Sequence, residues 1–143
     1  FPAGDVFFVR ARVRLEKPDE TFRHVVAGKY AESVQGFELY FSIRGRAHFA
    51  TRNSYGDHEF VAAAEPLPSG EHVIVGIRDG EALYVSVDGA APESKPLVAG
   101  EISLLHPEGL HLFGRACGTN TDILSLEIGR GWPKGVPQPK EDD

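Results

Sequence analysis

The chain has 143 residues, a formal net charge of −6 and charged residues at 25% of its positions. A chain of this length buries roughly 68–70% of its unfolded surface, so it can form one domain without a disulfide or a metal. Its hydrophobic content of 41% excludes a disordered chain. The negative net charge argues against nucleic acid and anionic membranes as partners, because both bind preferentially to positively charged protein surfaces. No apolar run approaches the ~20 residues that span a bilayer, so no membrane insertion is expected.

Sulfur-containing residues are scarce. The one cysteine, Cys117, cannot form an internal disulfide and is expected to be a small buried thiol. Methionine is absent, even at the first position. We therefore expect residues 1–143 to belong to a longer or processed polypeptide that has other domains.

Apolar residues recur at every second position through most of the chain. In the clearest run they alternate with arginines from Val9 to Leu15. A helix would need apolar residues at spacings of three and four, so this period of two predicts a half-buried strand. Further strands are predicted at 22–30, 37–43, 47–52, 58–64, 73–78, 83–88, 102–105, 110–113 and 123–128.

Turn residues separate these predicted strands. Asp79-Gly80 and Asp88-Gly89 are strong hairpin signals, and residues 53–57 are typical of a loop. About ten to twelve short strands with no helical pattern indicate an all-β sandwich or barrel. The predicted domain covers residues 1–130. Residues 131–143, which begin GWP and are rich in proline, are predicted to be an extended tail or linker with Trp132 packed back on the body.

Three segments carry a family resemblance. They are residues 70–89 (GEHVIVGIRDGEALYVSVDG), 27–42 and 110–128. Their order and spacing resemble laminin-G-like domains of the concanavalin A-like lectin and glucanase superfamily. The resemblance implies a two-sheet antiparallel jelly roll that works as a carbohydrate-binding or protein-interaction module. The family's usual tryptophan early in the central strand is His72 here.

Signatures of catalysis are missing from the sequence. No two carboxylates stand at strand spacing on one face, as a glycoside hydrolase needs. Neither a G-x-S-x-G nucleophile motif nor a zinc motif occurs. Tyr40, Arg44 and His48 imitate part of a polysaccharide lyase cluster, but the surrounding motifs are absent. We predict that the chain is not itself an enzyme. A glycan-active hydrolase or lyase is the least favoured of three functional hypotheses, and the other two are given below.

Two loops offer the hard oxygen ligands that calcium prefers. Asn120 and Asp122 lie in segment 118–122, and Asn53 and Asp57 bound segment 53–57. Laminin-G-like domains often carry calcium at a loop rim, so the resemblance favours a structural Ca²⁺ without locating it. The oxygen atoms of segment 118–122 make Asn120 and Asp122 the expected ligands. The alternative is that these residues simply make turns.

The polar sides of the central strands form the predicted ligand face, provided that these strands share one concave sheet. Aromatic rings pack against sugar C–H groups, and guanidinium groups donate to hydroxyls or carboxylates, which suits a glycan, including an acidic one. The loop with Asn53, Tyr55 and Asp57 is the rival contact. Ordinary cross-strand pairing is the alternative explanation. The face comprises Tyr40, Arg44, His48, Arg52 and Tyr84, with His72, Gly76 and Arg78 beside them.

The first functional hypothesis is a non-catalytic carbohydrate-binding module of a larger polysaccharide-active protein. Its partners would be a polysaccharide or other glycan and the neighbouring domains of the same polypeptide. An extracellular, periplasmic or cell-envelope location is expected. The second hypothesis is a protein-interaction or scaffolding domain of the laminin-G type, which a sizeable apolar surface patch would favour.

Overall fold

The computed structural model describes residues 6–16, 24–29, 36–41, 45–52, 58–97, 111–112 and 121–139. These residues form ten β-strands and no α-helix. The strands are β1 (Phe7–Leu15), β2 (His24–Lys29), β3 (Gly36–Phe41), β4 (Ala47–Arg52), β5 (His58–Ala62), β6 (Gly70–Arg78), β7 (Ala82–Val87), β8 (Glu93–Pro96), β9 (His111–Leu112) and β10 (Thr121–Arg130).

Two five-stranded antiparallel sheets make up the fold. The first sheet has the order β10-β1-β6-β7-β8, and the second has the order β5-β4-β3-β2-β9. This confirms the predicted two-sheet antiparallel β-sandwich. The strand predicted at 102–105 lies outside the described residues, and β8 was not predicted because Glu93–Pro96 has no apolar alternation.

The core lies between the sheets and follows the period of two. On β1 every second side chain from Phe7 to Leu15 is buried in it. Three phenylalanines meet at its centre: the Phe7 ring lies 6.2 Å from that of Phe37 and 6.3 Å from that of Phe49. Burial of each such ring stabilises the fold by roughly 1.5–3 kcal/mol. The inward side chains of β3, β4 and β7 complete this core.

Strand β6 is buried on both faces, and its orientation corrects the sequence analysis. Ile74 lies in the core between the sheets, and Gly76 faces Phe49 of the opposite sheet. The alternating set Val73, Val75 and Ile77 lies on the outer face instead. Both sets are largely apolar, and a strand that is covered on both sides has no polar face by which the sequence could orient it.

His72 and Arg78, which were predicted to lie on the ligand face, are therefore buried on the inner face of β6. The His72 ring is held from two sides, with Nδ1 2.7 Å from Asp88 Oδ2 and Nε2 2.8 Å from the Pro68 carbonyl oxygen. Burial lowers the pKa of the Arg78 guanidinium, against the opposing influence of the Glu59 and Asp79 carboxylates. Neither side chain belongs to an exposed binding surface.

A second apolar cluster covers the outer face of the first sheet. It contains Phe8, Val75, Ile77, Tyr84 and Val136, with Val6, Val73, Ala82 and Trp132 packed against it.

Residues 131–139, which we call the C-terminal segment, lie over this cluster. Gly131 N donates to the Val6 carbonyl oxygen at 2.8 Å, and Trp132 Nε1 donates to the Val136 carbonyl oxygen at 2.8 Å. The guanidinium of Arg10 donates to the Lys134 carbonyl oxygen. Trp132 thus packs on the body as expected.

Two arginines of β1 pair with acidic neighbours. Arg10 lies 3.6 Å from Glu127 of β10, and Arg12 lies 2.8 Å from Glu71 of β6. These are exposed cross-strand pairs of the kind that contribute up to ~1 kcal/mol each. Arg10 and Arg12 therefore take part in pairing between the strands of the first sheet.

Gly76 is required by the close approach of the two sheets. A Cβ at this position would overlap the ring of Phe49. We predict that Gly76→Ala lowers the free energy of unfolding by about 2–3 kcal/mol, because an overpacked core is strained. Urea denaturation measures this loss. In a Phe49→Leu background, where the ring is removed, the same substitution should cost under ~1 kcal/mol, and equal costs in both backgrounds would contradict the proposed contact.

Candidate functional site

The structure separates the residues of the predicted ligand face. Tyr40 of β3 and His48 of β4 are cross-strand partners in the second sheet, whereas Tyr84 of β7 lies in the first sheet. The expectation of one shared concave face is therefore wrong for Tyr84. Arg44, Asn53, Tyr55 and Asp57 lie outside the described residues, as does the side chain of Arg52.

Tyr40, His48 and Phe60 form what we call the aromatic row on the outer face of the second sheet. The rings of Tyr40 and His48 are stacked, with centroids 4.9 Å apart and planes 4° from parallel. The Phe60 ring lies 5.9 Å from that of His48. Tyr40 and His48 are only 8% and 9% exposed, and Phe60 is 42% exposed. The row is therefore mostly packed surface, with Phe60 as its accessible end.

Phe60 already has a cationic partner. The ammonium group of Lys95, on the edge strand β8 of the other sheet, lies 4.6 Å from the centroid of the Phe60 ring. This cation–π contact joins β5, an edge strand of the second sheet, to β8, an edge strand of the first. The exposed part of the aromatic row is thus engaged within the protein itself.

A better-formed concave site lies between β7 and the C-terminal segment. We call it the aromatic cleft. Its volume is about 530 Å³, within the usual range of small-ligand sites. Tyr84 and Trp132 meet in it edge to face, with ring centroids 5.1 Å apart and an interplanar angle of 77°. The described residues that line it are Val6, Asp79, Glu81, Tyr84, Trp132, Gln138 and Pro139.

Asp79 organises the wall of the aromatic cleft. Its Oδ1 atom accepts hydrogen bonds from the backbone N–H groups of Glu81 and Ala82, each at 2.8 Å. Its Oδ2 atom accepts the hydroxyl proton of Tyr84 at 2.9 Å. One turn residue therefore fixes both the β6–β7 connection and the direction of the Tyr84 ring. The Asp79-Gly80 hairpin signal predicted the turn but not the tyrosine contact.

The polar chemistry of the aromatic cleft is acidic. Burial, the hydrogen bond to Asp79 and the negative charges of Asp79 and Glu81 together raise the pKa of Tyr84 to about 12. Glu81 and Gln138 are exposed at the rim, where an amide and a carboxylate can exchange hydrogen bonds with hydroxyl groups.

This arrangement does not match a glycoside hydrolase. The carboxylates of Asp79 and Glu81 come from one turn, not from opposite walls of a cleft. Both oxygens of Asp79 already accept hydrogen bonds from the protein. Glu81 therefore has no second free carboxylate facing it among the described lining residues.

A second cleft, of about 490 Å³, adjoins the C-terminal segment as well. It is lined by parts of β1 and β6, by the Asp88-Gly89 turn and by residues 134–136. The φ angles of Asp88 and Gly89 are +53° and +77°, and Ala90 N donates to the Val87 carbonyl oxygen at 3.0 Å, as in a type I′ turn. Asp88 also accepts a hydrogen bond from Val73 N at 2.8 Å. We assign this turn to folding because its carboxylate is engaged by the protein.

The calcium prediction is not addressed by the described part of the chain. Asn120 and the side chain of Asp122 lie outside it, together with loop 53–57. Within the described residues, no group of three or more His, Cys, Asp or Glu side chains could hold a metal. Calcium binding at Asn120 and Asp122 stays a prediction.

Sequence reasoning missed the cleft residues other than Tyr84. Trp132 was expected to pack on the body, but its partner was unknown because the proline-rich segment has no periodicity to place it. Glu81 and Gln138 had no distinguishing signal. The useful clue was the spacing from Asp79 to Tyr84, since a hairpin of this length returns the tyrosine beside the turn.

The raised pKa of Tyr84 gives a test of its buried, hydrogen-bonded position in the aromatic cleft. A tyrosine with a raised folded-state pKa stabilises the protein below pH 10.0, and this contribution is lost as the pH rises towards about 12. We predict that one of the four tyrosines titrates last in the native protein and that Tyr84→Phe removes this step. Ultraviolet absorbance of tyrosinate follows the titration, with circular dichroism to confirm the fold. Simultaneous titration of all tyrosines would contradict the assignment.

Comparisons with known proteins show the fold. No protein-family model and no curated protein matches the sequence. The CBM40 of the Ruminococcus gnavus IT-sialidase superposes with a TM-score of 0.66 at 10% identity, over 93% of this chain and 80% of that one. The binding domain of Paraclostridial Mosquitocidal Protein 1 gives 0.64 at 12% identity, over 88% and 34%. The receptor-binding domain of botulinum neurotoxin mosaic serotype C/D gives 0.63 at 8% identity, over 87% and 32%.

The chain spans about a third of the length of the mosquitocidal-protein and neurotoxin binding domains and most of the CBM40. At these identities the likeness concerns the β-sandwich itself. The chain is therefore similar in fold to sandwich domains that serve binding in larger proteins, without a specific link to the laminin-G family.

Proposed function

We propose that this chain is a carbohydrate-binding module that holds a glycan in the aromatic cleft without acting on it. The observation that carries the proposal is the cleft between Tyr84 and Trp132, with Glu81 and Gln138 at its rim. It combines apolar ring surface with a few exposed polar groups, which is the usual composition of a sugar site.

The chemistry of each group fits a sugar. The ring of Trp132 is partly exposed and offers a flat apolar surface to the C–H groups of a pyranose. Glu81 accepts hydrogen bonds from hydroxyl groups, and Gln138 both donates and accepts them. Tyr84 is fixed by Asp79 and therefore needs no reordering when a ligand binds.

The fold supports the proposal in general terms. The Ruminococcus gnavus CBM40 has also been solved bound to α2,3-sialyllactose and to α2,6-sialyllactose. Those ligands belong to that protein. For the present chain the resemblance adds an expectation that the module serves a larger, exported polypeptide, which is part of the proposal.

A protein-interaction role is the second candidate, and one observation favours it. Leu124 and Ile128 of the edge strand β10 are 39% and 36% exposed. An edge strand with exposed apolar side chains can pair with an extended segment of another protein. Leu124→Lys would disrupt such pairing and leave glycan binding unchanged, so pull-down and glycan-binding assays on this variant distinguish the two roles.

The glycan site is tested by affinity electrophoresis in gels that contain neutral or charged polysaccharides. We predict retardation by at least one polysaccharide. Glu81→Ala and Gln138→Ala should each weaken binding about tenfold, the effect of losing one hydrogen bond of roughly 1.4 kcal/mol. Phe60→Ala is the matched control at the aromatic row and should bind normally. Absence of retardation in every gel would overturn the proposed function. A loss of binding in Phe60→Ala alone would place the glycan site at the aromatic row instead of the aromatic cleft.

We also propose that Asn120 and Asp122, the latter near the start of β10, bind calcium, on the strength of their oxygen ligands alone. Calcium that binds the folded chain should raise its Tm by several degrees relative to EDTA. Differential scanning calorimetry measures the shift. Asp122→Asn should abolish it, and an unchanged Tm in the parent chain would remove calcium from the proposal.

A further inference from the structure

We infer that the aromatic cleft selects glycans that carry free amines over glycans that carry carboxylates. This inference rests on the proposed function and names its ligand class. It departs from the acidic glycan suggested by the arginines in the sequence, because the described arginines lie elsewhere. Arg78 is buried between the sheets, and Arg10 and Arg12 pair with Glu127 and Glu71.

The charge of the aromatic cleft is the first argument. Asp79 and Glu81 are its two charged groups, and no lysine or arginine occurs among the described residues that line it. A protonated amine would be attracted to this wall, whereas a carboxylate would lose its hydration and gain no cation in return. Arg78 is buried on the inner face of β6, where the Glu59 and Asp79 carboxylates both act on its guanidinium, so Glu81 is the carboxylate of the cleft that is most available to a ligand.

The state of Tyr84 reports the same negative field. Its pKa is raised to about 12, in the first place by burial and then by its hydrogen bond to Asp79 and the charges of Asp79 and Glu81. The charges of both carboxylates are therefore felt at the Tyr84 hydroxyl inside the cleft. An anionic ligand group placed beside Tyr84 would be repelled by the same two carboxylates.

The aromatic pair is the second argument. An ammonium group binds favourably over the face of a tryptophan or tyrosine ring, more strongly where the contact is desolvated. This chain already uses the same interaction elsewhere, since the Lys95 ammonium lies 4.6 Å above the Phe60 ring. The cleft brings together Trp132, Tyr84 and Glu81, which are the elements of an ammonium site next to sugar-binding surface.

The experiment compares three oligosaccharides of equal length by isothermal titration calorimetry with the full chain. They are chitosan oligosaccharide with free amines, its N-acetylated chitin counterpart, and oligogalacturonate. The pH is set where the chitosan amines are protonated. We expect chitosan to bind about tenfold more tightly than chitin, and oligogalacturonate to bind most weakly.

Two variants isolate the cleft from the overall charge of −6. Glu81→Gln keeps the size of the side chain and one acceptor oxygen but removes its charge, and it should reduce the ratio of chitosan affinity to chitin affinity about tenfold. Glu93→Gln removes an exposed carboxylate of β8 that does not line the cleft and should leave the preference intact.

The outcomes are distinct. Equal losses in the two variants would show a nonspecific charge effect and overturn the inference. Binding of oligogalacturonate as tightly as chitosan would overturn it too, and the proposed function would survive if Gln138→Ala still weakened that binding. If none of these oligosaccharides and no polysaccharide gel showed binding, the proposed function itself would fail.

Discussion

The contact between Gly76 and the Phe49 ring is the constraint on which the rest of the structure depends. Because the ring of Phe49 occupies the space that a side chain would need at position 76, β6 must turn this glycine towards the opposite sheet. That orientation puts Val75 and Ile77 on the outer face, where they need a cover. Trp132 and Val136 of the C-terminal segment provide it, and the aromatic cleft forms where this cover meets Tyr84.

Local patterns predicted what each strand looks like but not which strands become neighbours. The alternation in β1 and the turns after Arg78 and Val87 correctly predicted these strands, their reversals and the sandwich. The parity of β7 was correct as well, because Tyr84 points away from the core. The sheet to which β7 belongs was not predictable. An alternation of period two shows which side chains of a strand face the same way, but the choice of sheet depends on pairing with strands far away in the sequence. For β6 the parity itself was ambiguous, because Ile74 and Val75 are equally apolar.

The candidate site was harder to foresee than the fold for a physical reason. Tyr84 was named from the sequence, but the groups around it come from a turn and from an irregular segment far along the chain. Asp79 was recognised as a turn residue, and the same carboxylate also directs the Tyr84 hydroxyl. A sequence pattern can identify Asp79 as a turn residue, but it does not indicate that the same side chain also binds a tyrosine hydroxyl. The solved sandwiches of similar fold share 8–12% identity with this chain, so its ligand chemistry has to be argued from its own side chains.

The docking of residues 131–139 on the first sheet has a thermodynamic consequence. A ligand bound in the aromatic cleft would contact the β6–β7 turn and this segment together, so ligand affinity and segment attachment would be linked equilibria. Any opening of the segment removes one wall of the site, and any bound ligand holds the segment closed by the same free energy. A bound ligand would thereby act as a non-covalent cross-link between the β6–β7 turn and a segment about fifty residues further along the chain.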